Sequence, residues 1–316
     1  MRVAVIDIGT NSTRLLVADV TSDGELTELD RRTAVTRLGE GVDANRRLGK
    51  AGMARVHKVL DEYESVARQL GAETAVAVLT SAVRDSANGE EFVARLREQY
   101  GLDARILSGD QEAQLTFLGA MSGRARDDEG RVLVIDVGGG STELIVGARG
   151  DVDFHVSLQL GVVRQTERHL LEDPPSDDDL RALKRDVRTL IERDVPVRER
   201  RGVDRAIAVA GTATSLAAID QALDPYERER VHGYQLELAT VRLLLARLAS
   251  VPLEERRTIR GLHPDRAPTI VAGAAILIEA LEAFGLDGFE TSENDILRGT
   301  ALARARNGAA AWSGRP

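Results

Sequence analysis

Cysteine is absent from the 316-residue sequence, and this absence excludes disulfide bonds, thiolate metal sites and cysteine nucleophiles. Aromatic residues are also scarce, at 3% of the chain, so the sequence offers no obvious platform for stacking a guanine base. The longest apolar run, residues 270–278, is far shorter than the roughly 20 residues that a bilayer span requires. Because cysteine is absent, the side chains left for nucleophilic or acid–base catalysis are hydroxyls, carboxylates and imidazoles.

Positive charge is in deficit as well. The chain carries 51 acidic and 42 basic residues, for a formal net charge of −9. This balance disfavours long-range attraction to nucleic acid or to an anionic membrane, so an anionic substrate must be held by local groups. Asp7, Asn11 and Arg14 interrupt the apolar stretch of the first twenty residues, which is not typical of an export signal. We expect a soluble, cytoplasmic protein that binds neither nucleic acid nor membrane.

An internal repeat is the most informative feature that the sequence does contain. Residues 3–17, VAVIDIGTNSTRLLV, align without gaps on residues 132–146, VLVIDVGGGSTELIV, and nine of the fifteen positions are identical. Each copy is an apolar β-branched run, a sharp Asp-x-Gly turn and a second apolar run, which is typical of a β-hairpin with a polar tip. Alternating strand and helix patterns follow each copy. We therefore predict an α/β protein with two related domains.

The two hairpin tips are candidate phosphate sites. A glycine in each tip permits a tight turn whose N–H groups, with polar side chains, can surround phosphate oxygens. The residues of the first tip are Gly9, Thr10, Asn11 and Ser12, and those of the second are Gly138, Gly139, Gly140 and Ser141. Either turn alone could be an ordinary hairpin loop. Their duplication, with an aspartate retained before each, favours phosphate binding.

The retained aspartates, Asp7 and Asp136, are candidate ligands for magnesium. Magnesium binds through carboxylates and water and would offset the charge of bound phosphates. Two tips that faced each other across a cleft would hold neighbouring phosphates of one substrate. The repeat therefore predicts phosphoryl chemistry.

Two further segments each have two interpretations. Arg84 follows a predicted strand, where its guanidinium could hold a phosphate through two hydrogen bonds or could cap a helix at the surface. Gly211 and Thr212 lie between a predicted strand and a predicted helix. A helix N-terminus favours bound anions, although a plain capped turn has the same pattern. The two tips favour ligand contact for this second segment.

Glu112 lies in the first turn of a helix that the apolar spacing predicts after Ser108. Glutamate is common in the first turn because it interacts favourably with the helix dipole. The residues alone therefore favour a capping role for Glu112 over general-base catalysis.

The ordered motifs DIGTNS, TSAVRDSAN, SGDQEAQ, DVGGGSTE and AGTATS resemble those of the Ppx/GppA exopolyphosphatase family, along nearly the whole chain. The resemblance implies that Glu112 is the catalytic glutamate and that Glu143 is a second essential carboxylate, near the metal with Asp7 and Asp136. It also implies that Arg84 lies on the substrate side. Glu112 would then activate a water in line with the terminal phosphorus, with Mg²⁺ as cofactor and without a covalent intermediate.

The resemblance further implies two ribonuclease-H-like domains of the actin-like ATPase superfamily, flanking an interdomain cleft. The first domain would comprise residues 1–118 plus about 298–316, and the second residues 119–297, because the last helix would return to the first domain. A homodimer is compatible with such a protein, but no sequence feature locates an interface.

The expected substrate is inorganic polyphosphate, from which orthophosphate would be released. Longer relatives carry an additional C-terminal helical region of the HD type. We expect this protein to act without that region, and we therefore expect short chains to be the substrates. Three alternatives stay open. Guanosine pentaphosphate could be hydrolysed at its 5′ phosphate by the same chemistry, and an actin-like phosphotransferase or kinase would use a hydroxyl or ADP as acceptor. A nucleotide-binding or filament protein would not turn over its ligand.

Overall fold

The computed structural model describes residues 1–21, 23–124 and 130–307, and these form two compact units. The first unit comprises Met1–Arg124 together with the chain from Asn294 onward. The second unit comprises the described residues 130–293. The first unit is therefore discontinuous in sequence. Residues 308–316, which the sequence-based boundaries assign to the first domain, lie outside the described residues.

Strands and helices alternate in the first unit after an initial β-hairpin. The strands are β1 (Arg2–Ile8), β2 (Ser12–Val20), β3 (Leu26–Val35), β4 (Thr74–Leu79) and β5 (Asp103–Ile106). The helices are α1 (Val42–Asn45), α2 (Lys50–Gln69), α3 (Ser81–Arg84), α4 (Gly89–Tyr100) and α5 (Gly109–Met121). The five strands described here form one sheet in the order β3-β2-β1-β4-β5, in which β1 to β3 pair antiparallel and β4 and β5 continue in parallel with β1.

The near-continuous apolar sequence of β1 follows from burial of both faces of this sheet. Successive side chains of a strand point to opposite faces. Ala4 and Ile6 accordingly pack in one core cluster with α2 and α4, while Val3 and Val5 pack in a second cluster. A strand covered on both sides needs apolar residues at every position, and not only at every second one.

The second unit repeats this plan. Its strands are β6 (Val132–Val137), β7 (Thr142–Ala148), β8 (Asp151–Leu158), β9 (Arg205–Val209), β10 (Gln235–Glu237) and β11 (Gly288–Thr291). Its helices are α6 (Val162–His169), α7 (Asp177–Asp194), α8 (Val197–Arg200), α9 (Ala210–Asp220), α10 (Arg228–Val231), α11 (Leu238–Ala249), α12 (Leu253–Arg256) and α13 (Ile270–Phe284), with a 3-10 turn at Pro264–Arg266. Within the described ranges the sheet order is β10-β11-β9-β6-β7-β8. Both hairpins that the repeat predicts are present, as β1–β2 and β6–β7.

The long apolar run of the sequence, residues 270–278, begins α13. This helix is buried on nearly every side among the other helices of the second unit. Over the ranges that the structure describes, no helix is long and apolar enough to cross a membrane. The run therefore supplies the core of the second unit.

The last helix, α14 (Ile296–Asn307), belongs to the first unit. It packs against α5 and against β1 and β2. Glycine makes the approach to α5 close, because a Cβ on Gly119 would overlap the backbone of Asp295 and a Cβ on Gly299 would overlap that of Leu115. The two glycines thus allow the helix backbones to touch.

Candidate active site

The first tip, residues 9–12, connects β1 to β2. It is closed by a hydrogen bond of 3.0 Å from the N–H of Gly9 to the carbonyl oxygen of Ser12. The carbonyl oxygens of Thr10 and Asn11 accept hydrogen bonds from the N–H groups of Gly39 and Thr36, at 2.8 and 3.0 Å. The N–H groups of Thr10 and Asn11 bond to no residue in the described part of the chain. The carbonyls are thus anchored in the protein while successive N–H donors stay available to an anion.

The second tip, residues 138–141, connects β6 to β7 and is closed in the same way, at 3.0 Å. The carbonyl oxygens of Gly138 and Gly139 accept hydrogen bonds of 2.9 Å from the first two N–H groups of α6, and that of Gly140 accepts from Arg164 Nε at 3.0 Å. The N–H groups of Gly139 and Gly140 bond to none of the residues described. This tip therefore caps α6 with its carbonyls and keeps its donors for a ligand.

Each tip is packed against a glycine of another segment. A Cβ on Gly39 would overlap the side chain of Thr10, and a Cβ on Gly161 would overlap the backbone of Gly139. Gly161 has a φ of −108°, which any residue can adopt, so space and not backbone conformation requires glycine there. Both tips are therefore held by tight backbone packing.

Asp7, at the end of β1, is paired with Arg14 across the hairpin. Arg14 donates to Asp7 Oδ2 from Nε at 2.9 Å and from Nη2 at 2.6 Å, and it donates to Asp295 from Nη1. Burial raises the pKa of Asp7, and Arg14 only partly opposes this. Burial alone would also raise the pKa of Asp295, but Arg14 and Arg31, 3.8 Å away, help to lower it. Asp295 is therefore the member of this network that holds its negative charge most firmly.

Asp136, in the second unit, has a different neighbour. The residue opposite it in β7 is Glu143, which stands where Arg14 stands in the first hairpin. Both acids are buried, and Ser157 Oγ donates to Glu143 Oε1 at 2.8 Å. The second hairpin therefore carries two buried carboxylates at the position where the first hairpin carries an ion pair.

The donor set of this second pair fits magnesium, which prefers carboxylate oxygens and water. No group of three or more His, Asp or Glu side chains suited to a metal occurs in the residues that the structure covers, so water and substrate oxygens would complete the coordination. Asp7 fits less well, because its Oδ2 is taken by Arg14. Its Oδ1, however, is buried without a hydrogen-bond partner among the described atoms, so one oxygen stays open to a water or a metal.

Glu112 is buried in the first turn of α5. The helix is capped by Ser108 and Gln111, because the Ser108 side chain accepts from Gln111 N at 3.2 Å and the Gln111 side chain accepts from Ser108 N at 3.0 Å. Glu112 takes no part in this cap. Its Oε2 accepts instead a hydrogen bond of 2.8 Å from Arg84 Nη1, so Arg84 holds this carboxylate, and its catalytic role stays a prediction.

Arg84 ends α3, and its side chain is only 22% exposed. Besides Glu112, its Nη1 donates to the carbonyl oxygen of Leu107 at 2.9 Å. These two bonds fix the guanidinium against the start of α5. Of the two interpretations from sequence, a surface cap is therefore wrong, and a phosphate contact stays a prediction.

The pKa of Glu112 is raised to about 7. Burial is the main cause, Arg84 opposes it through its charge and its hydrogen bond, and the charges of Asp7 and Asp85 add to the rise. A carboxyl group with such a pKa is ionised in about half of the molecules at neutral pH, which suits a general base.

Gly211 and Thr212 lie inside the first turn of α9, which begins at Ala210, and not in a loop before it as the sequence suggested. A Cβ on Gly211 would overlap the guanidinium of Arg266, so glycine leaves room for this cation beside the helix start. Because β9 pairs with β6 at Asp136, the start of α9 also lies close to that aspartate.

A model of the Ppx/GppA phosphatase family matches residues 16–300. The chain belongs to this family. Exopolyphosphatase 2 of Mycobacterium tuberculosis is 36% identical over 320 residues, which cover 96% of this chain and 98% of the relative. Exopolyphosphatase 1 of Mycobacterium bovis is 34% identical over 292 residues, which cover 92% of this chain and 84% of the relative.

Solved structures of Ppx/GppA proteins agree with this assignment. The family member from Aquifex aeolicus is 32% identical, with a TM-score of 0.80 over 96% of this chain and 97% of that one. An exopolyphosphatase-like protein is also 32% identical, with a TM-score of 0.89 over 97% and 99% of the two chains. They confirm the predicted α/β fold with two ribonuclease-H-like domains, and family membership makes the protein a phosphatase, which is a hydrolase.

The predicted residues of this Ppx/GppA chain fall into two groups, one for each unit. The first unit brings together the first tip, Asp7, Arg84 and Glu112, and the second unit brings together the second tip, Asp136, Glu143, Gly211 and Thr212. Sequence reasoning missed Arg14, Asp295 and Arg266. For Arg14 a signal existed, because it aligns with Glu143 in an otherwise similar repeat. For Asp295 and Arg266 no local pattern marks the residue.

Proposed function

We propose that the protein is an exopolyphosphatase that hydrolyses the terminal phosphoanhydride of inorganic polyphosphate and releases orthophosphate. The observation that carries the proposal is Glu112, a buried carboxyl group with a pKa of about 7 that accepts a hydrogen bond from Arg84. Relatives that align with nearly the whole chain are named exopolyphosphatases. A base of this kind beside a donor-rich tip is what hydrolysis of a phosphoanhydride requires.

In the proposed reaction Glu112 removes a proton from a water as that water attacks the terminal phosphorus. The new P–O bond forms, the bridging P–O bond breaks, and the shortened polyphosphate leaves with the bonding electrons. Arg84 engages only Oε2 of Glu112, and Oε1 makes no hydrogen bond to a described residue, so Oε1 is the atom that receives the proton. Arg84 thereby orients the base.

The tips stabilise the charge on the phosphate oxygens. Their N–H donors are fixed in advance because the carbonyls of the same residues are anchored to neighbouring segments. Donors that need no rearrangement stabilise a developing charge most effectively. The predicted phosphate contacts at residues 9–12 and 138–141 therefore have a structural basis in both units.

Magnesium is the proposed cofactor. We assign it to Asp136 and Glu143, with a lesser contribution from Asp7 through Oδ1. When bound, Mg²⁺ would offset the negative charge of the phosphate oxygens. Asp136 and Glu143 would hold the ion through their carboxylate oxygens.

Guanosine pentaphosphate is a second candidate substrate, which the same chemistry would hydrolyse at its 5′ phosphate. One observation favours it. Tyr226, in the segment after α9, is 49% exposed as a residue, while its hydroxyl group donates to Glu293. A fixed and accessible aromatic ring can stack on a nucleobase.

The test is orthophosphate release by the purified protein with Mg²⁺ from tripolyphosphate, long-chain polyphosphate, guanosine pentaphosphate and ATP. We expect the highest kcat/KM with polyphosphate. A higher value with guanosine pentaphosphate would select the second candidate. Conversion of added ADP to ATP would indicate a phosphotransferase, and no turnover of any substrate would reject an enzyme role.

Glu112→Gln tests the assignment of the base in the same assay. The amide keeps the size of the side chain but cannot accept the proton, so we expect kcat to fall by about 10²–10⁴-fold. Binding of polyphosphate should persist, because the tips and not Glu112 hold it. Wild-type turnover by this variant would refute the assigned base.

A further inference from the structure

The segment of residues 36–50 carries a group of cations without partners. Many arginines elsewhere in the described chain pair with carboxylates, yet four exposed side chains here form no ion pair or hydrogen bond to any described residue. They are Arg37, Arg46, Arg47 and Lys50. The segment carries these four cations against two acids, Glu40 and Asp43, in a protein with a net charge of −9.

The acids of the same segment do not neutralise these cations. Glu40 pairs with Arg55 of α2 at 3.1 Å. Asp43 pairs with none of the four cations. The positive charges therefore face solvent, where they can attract an anion.

The segment is fixed to the candidate site at both ends. At its start, the N–H of Arg37 donates to the carbonyl oxygen of Asn11 in the first tip at 2.9 Å. Near its end, the carbonyl oxygen of Arg46 accepts from Ala87 N at 2.9 Å, in the turn after α3. The side-chain oxygen Oδ1 of Asn88, in the same turn, accepts a hydrogen bond of 2.8 Å from the N–H of Leu48. The cations therefore lie on a segment that links the first tip to the turn following Arg84.

Two of the four cations have an unusual backbone. Arg37 and Arg46 adopt φ values of +47° and +53°, in the left-handed region that residues with a Cβ rarely occupy. Backbone strain of this kind occurs preferentially at binding and catalytic sites, where the surrounding structure enforces it. Here the hydrogen bonds to the first tip and to Ala87 enforce it, and they fix where both side chains begin.

We propose that Arg37, Arg46, Arg47 and Lys50 bind phosphates of the polyphosphate other than the one that is cleaved, and so determine the affinity for longer chains. The inference rests on the proposed function. The tips supply donors at the reacting end of the substrate. A polyanion that extends beyond them meets a protein that is acidic as a whole, so only local cations can hold it.

The test compares two variants that each remove two positive charges. Arg46→Asn/Arg47→Ala changes the proposed subsite, and asparagine is used at position 46 because it tolerates the left-handed region. Lys58→Ala/Arg68→Ala is the control, at positions about 12 and 27 Å along α2 from Lys50. Thermal melting checks that both variants are folded.

For Arg46→Asn/Arg47→Ala we expect KM for long-chain polyphosphate to rise about tenfold with kcat unchanged, and KM for tripolyphosphate to stay near the wild-type value. The slope of log KM against log salt concentration for the long chain should fall by about 1.4, at roughly 0.7 for each cation removed. The control variant should change neither quantity. A role in structure alone would not alter the salt dependence.

Two results would overturn the inference and leave the proposed function intact. One is a wild-type KM and salt slope for the long chain in Arg46→Asn/Arg47→Ala, with normal tripolyphosphate turnover. The other is an equal loss with both substrates. If instead the wild-type protein hydrolyses no polyphosphate of any length, the proposed function itself fails, and the inference fails with it.

Discussion

Positions 14 and 143 occupy the same place in two copies of one hairpin, yet the first is arginine and the second is glutamate. Each lies opposite an aspartate, so this single difference reverses the local charge. Arg14 neutralises Asp7, whereas Glu143 adds a second carboxylate beside Asp136. The repeat alone predicts equal metal roles for both aspartates, and the contacts now distinguish them.

Magnesium binding should therefore depend on Asp136 and Glu143. We expect Mg²⁺ to stabilise the folded wild-type protein by about 2.7 kcal/mol at a concentration 100 times Kd. The unfolding temperature should rise accordingly. Asp136→Asn and Glu143→Gln should abolish this shift, while Asp151→Asn, an exposed acid of the same unit, should keep it. Thermal melting with and without Mg²⁺ measures the effect.

The same experiment separates a metal site from a structural pair. Melting of each variant without metal measures what its carboxylate contributes to stability by itself, so the shift with Mg²⁺ can be compared with that baseline. Retention of the full Mg²⁺ shift in both variants would contradict the assignment.

The pKa of Glu112 predicts the pH dependence of turnover. Only the ionised carboxylate accepts a proton, so kcat/KM should rise with pH through about 7. Arg84 lowers this pKa, so Arg84→Gln should move the rise to higher pH. Rate profiles against pH measure both effects, with Arg68→Gln on the surface of α2 as control. A rise at the wild-type pH in Arg84→Gln would show that Arg84 does not act through the base.

The free energy of unfolding should also depend on the ionisation of Glu112, but it should fall as the pH rises, whereas turnover increases. The folded protein holds the Glu112 proton more tightly than the unfolded chain does, since the pKa rises from 4.5 to about 7. The contribution of this group to stability is therefore complete below pH 4.5 and declines as the pH rises through about 7.

At the scale of elements, the second tip and the start of α6 form one packed structure. Gly161→Ala should disrupt it, because the new Cβ would overlap the backbone of Gly139 while the φ of −108° itself permits alanine. We expect a loss of about 1–3 kcal/mol in unfolding free energy, and a higher KM from the displaced tip. Gly49→Ser is the control for stability, with open space around it, a φ of −77° and a side chain that suits the N-cap of α2. Urea unfolding and steady-state kinetics test this, and a wild-type KM in Gly161→Ala would count against a role of the tip in binding.

The approach of α14 to the first hairpin depends on Asp295. Asp295→Asn should lower the unfolding free energy by about 3 kcal/mol at pH 7, because Arg14 loses a buried carboxylate partner. The pKa of Asp295 is lowered from 3.8, so the wild-type advantage is present above this value and disappears as the pH falls below it. Denaturant unfolding at pH 7 and pH 3 tests this, with Asp287→Asn as control. An equal difference at both pH values would contradict the assignment of the charge to Asp295.

The elements themselves could largely be predicted from sequence, because local patterns determine them. The apolar runs of the repeat identify the hairpins β1–β2 and β6–β7, and the apolar spacing after Ser108 identifies α5. The start of α9 was misplaced, because Ala210 adopts a φ of +62° that no propensity predicts for alanine. The contact of Arg14 with Asp295 could not be predicted either, since periodicity shows which face is buried but not which distant residue covers it.

At the scale of the whole molecule, net charge and substrate charge have the same sign. An acidic protein that acts on a polyanion has to concentrate its positive groups and N–H donors locally, and both tips and the segment of residues 36–50 do so. The family could be recognised from sequence because several motifs occur in a fixed order, although each motif alone is common. A cytoplasmic location and a homodimer stay predictions.

The return of α14 to the first unit has a consequence for biosynthesis. During translation β1 and β2 leave the ribosome before the second unit, but the helix that covers Val3, Val5 and Leu16 leaves after it. The second unit lies between them and is contiguous, so it can fold before the first unit is complete. The first hairpin therefore keeps an apolar face uncovered while the whole second unit is made, and a chaperone would protect this face on the nascent chain.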